Sequence, residues 1–153
     1  MSIVWQYLDK RAAVIAALKD YSVMEFIITN TDDIVKTTQE EMSSLGSPTW
    51  DDMPKAPNLH AGEDRLVRNM DKIEVLRGRY RQALEYMSWF KPAWGQMSED
   101  EREIISEFYM TEDGAQLDAV YNICDRFKIE RSSAYNKKNR ALNKLVVLLY
   151  GKE

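Results

Sequence analysis

Five side chains near the C-terminus have the types and spacing to read a hydrogen-bonding surface: Ser132, Tyr135, Asn136, Asn139 and Asn143. At 100° per residue they share one face of a helix, with Arg131 and Arg140 at its flanks. Hydroxyl and amide groups offer donors and acceptors without acid–base chemistry. Asparagine can bind adenine through two bonds, and arginine suits a guanine edge or a phosphate. On the same helix Ala134, Ala141, Leu145 and Leu148 fall within about 60° of arc, and form the expected buried stripe.

Such a face needs a scaffold, and the residues before it supply one. Val120, Ile123, Cys124 and Phe127 fit a short helix ending near Phe127. Lys128, Ile129 and Glu130 then make a turn, with Ile129 plugging beneath the helix and a second helix starting at about Arg131. Two helices divided in this way, one stripe holding the pair together and the other facing a groove, fit a helix-turn-helix. Glu130 stands in the N-cap region, where Ser, Thr, Asp or Asn caps better.

Charge agrees with this reading. From Arg126 to Lys152 there are eight basic residues and one acid, Glu130, a net +7 in a chain of −4; the remainder carries −11. The asymmetry points to a polyanion as partner. The helix dipole accounts for cations at the C-terminal end, Lys144 and Lys152, but not for Arg131 near the start. Lys128, Lys137, Lys138, Arg140 and Lys144 are expected to neutralise phosphate, which sets affinity and salt dependence rather than sequence preference.

Composition narrows the rest. Six Gly and four Pro in 153 residues, with 44% hydrophobic and 30% charged content, fit an all-α protein. No run approaches the roughly 18 apolar residues needed to span a bilayer, and the N-terminus has no signal-peptide pattern. One cysteine, Cys124, excludes an internal disulfide, fits a reducing cytoplasm and reads as core packing. One histidine, His60, leaves neither a zinc site nor a catalytic triad. No carboxylate pair, metal cluster or Gly-rich phosphate loop stands out, so no enzyme and no cofactor are expected.

The N-terminal part reads as a helical hairpin or bundle. Trp5, Leu8, Ala12, Ile15 and Ala16 have helical spacing. Asp20, followed by Ser22 and Glu25 at capping-box spacing, suggests a break and a second helix over 22–45. Thr29 to Asp33 is rich in residues that favour caps, which suggests an interruption there. Residues 46–62 hold three of the four prolines between two glycines and read as a long loop pinned by Trp50. Glu63 to Phe90 is the longest helical pattern, with Leu66, Met70, Ile73, Leu76, Tyr80, Leu84 and Met87 as its stripe. It is expected to pack antiparallel against the earlier helices. Pro92 and Gly95 mark a kink or stop. Trp89, Phe90 and Trp94 suit either a core that seats the C-terminal module or a surface for a protein partner. Ser98 and Glu101 have capping-box spacing before a helix with Ile104, Ile105, Phe108 and Tyr109 inward. The expected domains are 1–95, helical, and 96–153, helix-turn-helix.

The run from Met97 to Tyr109, with its Glu101-Arg102 pair and its Phe108-Tyr109 end, followed by the helices above and by Arg140 to Leu145, resembles region 4 of sigma-70-type factors. With a helical part before such a module, the whole chain is similar to phage late-gene transcriptional activators of the ArpU and RinA type. The resemblance implies a sequence-specific DNA-binding regulator in a bacterial host cytoplasm, with double-stranded DNA and RNA polymerase as partners. It places the groove-reading role on Arg131, Ser132, Ser133, Tyr135 and Asn136. One helix-turn-helix makes few base contacts, so a homodimer or help from polymerase is expected. The rival readings are a helical protein-interaction module and a DNA-recognition subunit of a phage packaging machine.

Overall fold

The computed structural model describes residues 8–44, 61–111 and 116–151. They form five helices, α1 (Lys10–Ser44), α2 (Ala61–Gly95), α3 (Glu99–Tyr109), α4 (Gln116–Phe127) and α5 (Arg131–Tyr150), with no strand among the described residues. The chain is all-α. The Pro-rich segment with Trp50 and His60, and the Trp5 position, lie outside the described residues.

The residues group into two compact units. One takes residues within Met1–Val23 and Tyr86–Glu153, the other those within Met24–Glu85. The long helices α1 and α2 each contribute to both.

α1 is unbroken, against the expected stop near Asp20 and the expected interruption at Thr29 to Asp33. Asp20 and Ser22 are exposed positions within the continuous helix. The cap-favouring residues bond back onto their own helix instead. Thr29 Oγ1 donates to the Glu25 carbonyl at 3.0 Å, Asn30 Nδ2 to Phe26 at 2.9 Å, and Thr31 to Ile27. Side chains satisfied in this way no longer compete for the backbone. The inward positions, Tyr21, Met24, Ile28, Thr31, Val35, Thr38 and Met42, then alternate steps of three and four. That is the 3.5-residue spacing that keeps one line of side chains on one side of a helix. At the start of α1 the buried residues are Val14 and Leu18, whereas Leu8, Ala12 and Ala16 of the expected stripe are exposed.

α2 carries the matching line: Asn69, Ile73, Leu76, Tyr80, Ala83, Met87, Phe90 and Trp94. It differs from the expected stripe. Leu66, Met70 and Leu84 are exposed, and Ala83, with no exposure, stands inward instead. Gly62 belongs to the first turn of α2 rather than to the loop, and Pro92 lies inside its last turn. Proline lacks the N–H that would bond the Ser88 carbonyl; Ser88 is exposed, so water can satisfy that carbonyl.

α3 begins with the capping box read from Ser98 and Glu101. Glu101 N donates to Ser98 Oγ at 3.2 Å, and Ser98 N donates to Glu101 Oε1 at 3.1 Å. α4 is followed by Lys128, which has φ of 54°, the left-handed region that ends helices. Ile129 N then donates to the Cys124 carbonyl at 3.2 Å.

The unit that contains α3, α4 and α5 has two apolar clusters. Ile104, Phe108, Ala119, Val120, Ile123 and Ala134 form one, with Cys124, Phe127 and Ile129 packed against it. Val14, Leu18, Phe90, Ala93, Met97, Ile105, Ala141, Leu142 and Leu145 form the other. Phe90 is fully buried, stacked on Tyr86 and Trp94 and tilted against Tyr21, with ring centroids 5.5 Å apart in each pair. The Tyr86 hydroxyl donates to the Ala17 carbonyl, tying α1 to α2. Phe90 and Trp94 are thus part of the core that seats α5. Trp89 is partly exposed and edge-on to Tyr150 at 5.6 Å.

Candidate nucleic-acid interface

α5 is gripped along one side by both clusters: Ala134 in the first, and Ala141, Leu142 and Leu145 in the second. Leu142 replaces Leu148 in the expected stripe; Leu148 is 39% exposed. The shift rotates the buried side by a few tens of degrees toward the α1 and α2 ends that cover it. The opposite side then carries Ser132, Asn136, Arg140 and Asn143, all exposed, with half-buried Ser133 and exposed Lys137 beside them.

The helix start is built by its neighbours. Glu130 is the N-cap, and its side chain makes no capping bond. Arg131 is exposed and anchored on α4: its Nη2 donates to Tyr121 Oη at 3.0 Å, and its guanidinium carbon lies 5.4 Å from that ring's centroid. Such stacking restrains a long cation in place. Among the described residues Ser132, Asn136, Lys137 and Arg140 have no hydrogen bond or ion pair outside the helix backbone, so their polar groups face solvent.

Other candidates are engaged. Tyr135 is half-buried, its ring 6.1 Å from Phe108. Lys138 Nζ sits 5.0 Å from both ring centroids; burial, and then the charge of Arg11, push this ammonium below its usual range. Asn139 and Asn143 accept from Arg11 of α1 through their side-chain oxygens, at 2.8 and 3.3 Å. Lys144 Nζ donates to Glu101 Oε1 at 2.9 Å. Burial alone would raise the Glu101 carboxyl, but the bonds from Lys144 and Ser98 outweigh it and hold the group below the usual range. Lys128 pairs with Asp125 at 3.4 Å, and Arg126 with Glu103 at 3.1 Å. These pairs are exposed and contribute little to stability.

The candidates therefore divide. Arg131, Ser132, Ser133, Asn136, Lys137 and Arg140 occupy or border an open face. Tyr135 and Lys138 lie along its edge on Phe108, while Lys128 and Lys144 lie apart in ion pairs with acids of α4 and α3. Two participants had no signal in the sequence. Tyr121 is an exposed aromatic that serves Arg131, and Arg11 comes from a helix more than a hundred residues earlier. Among the described residues no group of three His, Cys, Asp or Glu side chains could hold a metal ion, and no helix is long and apolar enough to cross a membrane.

No family model, curated protein or solved structure matches the chain.

Proposed function

We propose that this chain is a sequence-specific, double-stranded-DNA-binding transcriptional regulator of the phage late-gene activator type. In this reading α4, the turn at Lys128 and α5 act as a helix-turn-helix similar to sigma-70 region 4, working in a bacterial host cytoplasm. The observation that carries it is the open face of α5. One helix is held by two apolar clusters and turns Ser132, Asn136, Lys137 and Arg140 outward, in the most basic stretch of an acidic chain. The N-terminal half of α5 would enter the major groove. Asn136 and Ser132 would meet base edges, and Arg131, braced on Tyr121, a guanine edge or a phosphate. Lys137 and Arg140 would neutralise phosphate.

A homodimer and RNA polymerase are the protein partners of this reading. The unit formed by residues 24–85 supports self-association: Phe26, Val67, Met70 and Val75 are each more than half exposed. A helix pair that leaves such groups in water gains by burying them against another helix. Two copies would present two recognition helices to half-sites about one helical turn apart.

The test is binding of the purified chain to phage genomic fragments at two salt concentrations, beside an Arg131→Ala, Asn136→Ala double variant. Fragment-selective binding that the variant loses supports the proposal. Weak binding, equal on all fragments and unchanged in the variant, removes it in favour of a helical protein-interaction module. If selective binding is found, a reporter driven by a phage late promoter separates a regulator from a packaging subunit.

A further inference from the structure

Arg11 reaches two asparagines on α5, its Nη2 on Asn139 Oδ1 at 2.8 Å and its Nη1 on Asn143 Oδ1 at 3.3 Å. Asn139 and Asn143 are one helical turn apart and so lie side by side on the helix surface. Arginine carries five N–H donors and no acceptor. Each amide must therefore turn its oxygen to the guanidinium and its NH2 group away from it.

That orientation changes what the two asparagines can read. An asparagine binds adenine with both ends of its amide, accepting from the N6 amino group and donating to N7. Here each oxygen is engaged by a charged donor, in the stronger class of hydrogen bond. Adenine would bring a further donor toward a positive charge. The groups left without a partner are mostly donors, two amide NH2 groups and the remaining N–H groups of the guanidinium, and each amide oxygen keeps one lone pair beside a positive charge.

We infer that Arg11, Asn139 and Asn143 form a donor-rich, positively charged patch at the edge of the α5 face, which favours hydrogen-bond acceptors of duplex DNA over the adenine amino group. The acceptors are phosphate oxygens or the O6 and N7 edge of guanine. Arg11 is both a positioning residue for the two amides and a contributor of its own charge. The inference rests on the DNA-binding reading above and adds a preference to it.

The experiment is selection of sites from a randomised duplex pool, followed by salt titration of the selected duplex. It uses the full chain and the Arg11→Met, Arg11→Lys, Asn139→Ala and Arg11→Met, Asn139→Ala variants. Arg11 is exposed, so its variants should melt within a few degrees of the parent. Arg11→Met is expected to bind about tenfold more weakly, the loss of one charge-assisted contact, and Arg11→Lys to fall between. The Asn139→Ala effect is expected to shrink in the Arg11→Met background, because the two act as a unit. A patch on guanine shows as adenine admitted at one position by Arg11→Met. A patch on phosphate shows as unchanged preference with the salt slope lowered by about 0.9. Affinity, preference and slope all unchanged in Arg11→Met would overturn the inference while leaving the DNA reading intact. A parent chain that binds no duplex overturns both.

Discussion

Lys144 and Glu101 lie 43 positions apart and meet at 2.9 Å, and the same carboxylate closes the capping box of α3 through the Ser98 N–H. One oxygen, Glu101 Oε1, therefore caps α3 and ties it to α5.

Glu101→Gln should separate these roles, since glutamine also serves in a capping box. The ion pair is partly exposed, so the loss should be about 0.5–1 kcal/mol at neutral pH, measured by urea unfolding. Glu101→Ala should cost about 1–2 kcal/mol, because the cap goes as well. The folded Glu101 carboxyl titrates below its ordinary value of 4.5. Its contribution is therefore fully present above that pH and lost as pH falls through the lower folded value. The difference between parent and Glu101→Gln should therefore shrink as pH falls below 4.5 and through the lowered folded value.

Phe90 is the keystone of the larger cluster, with no exposure and three ring partners. Phe90→Ala is expected to cost about 3–5 kcal/mol, a large share of the stability of a small domain. Thermal unfolding read by circular dichroism would check this. Trp89→Ala, at a partly exposed ring, should cost much less.

Lys128 adopts a left-handed conformation at the turn before α5. Asparagine tolerates that conformation better than most residues. Lys128→Asn should thus leave stability within about 0.5 kcal/mol of the parent. If this lysine neutralises a phosphate on bound DNA, the same variant lowers the salt slope by about 0.9. Since Asp125 already pairs with Lys128, a slope that does not change would assign the lysine to the turn alone.

Val67→Glu with Met70→Lys places charges on two exposed apolar positions of α2. If the unit of residues 24–85 holds two copies together, sedimentation should show this variant as a monomer and the parent as a dimer. Both substituted positions face solvent, so the helical signal should persist.

What was legible in the sequence was mostly local. The α3 cap, the turn at Lys128 to Glu130 and the start of α5 each depend on neighbours within four residues, and their patterns are unambiguous. The continuity of α1 was not legible. Thr29, Asn30 and Thr31 are equally able to cap a helix or to bond back along one, and only the inward line from Tyr21 to Met42 decides between them. Leu142 and Leu148 are both plausible edges of the α5 stripe. The choice fell to Leu142 because α1 and α2 residues, Val14, Leu18 and Phe90 among them, cover that side. On α2 Ala83 is buried and Leu84 exposed, because the inward line keeps a 3.5-residue spacing that reaches position 83 rather than 84. Arg11 could not be connected with Asn139 from sequence, because no periodicity links positions 128 apart.

Whether the open face of α5 meets duplex DNA can be read by amide chemical-shift mapping with a duplex selected by the parent chain. Saturable shifts are expected on Arg131 to Arg140, with the Asn136 side-chain amide among the largest, and little change over residues 24–44 and 61–85. Shifts centred on those segments, with the Asn136 amide unmoved, would contradict binding through that face.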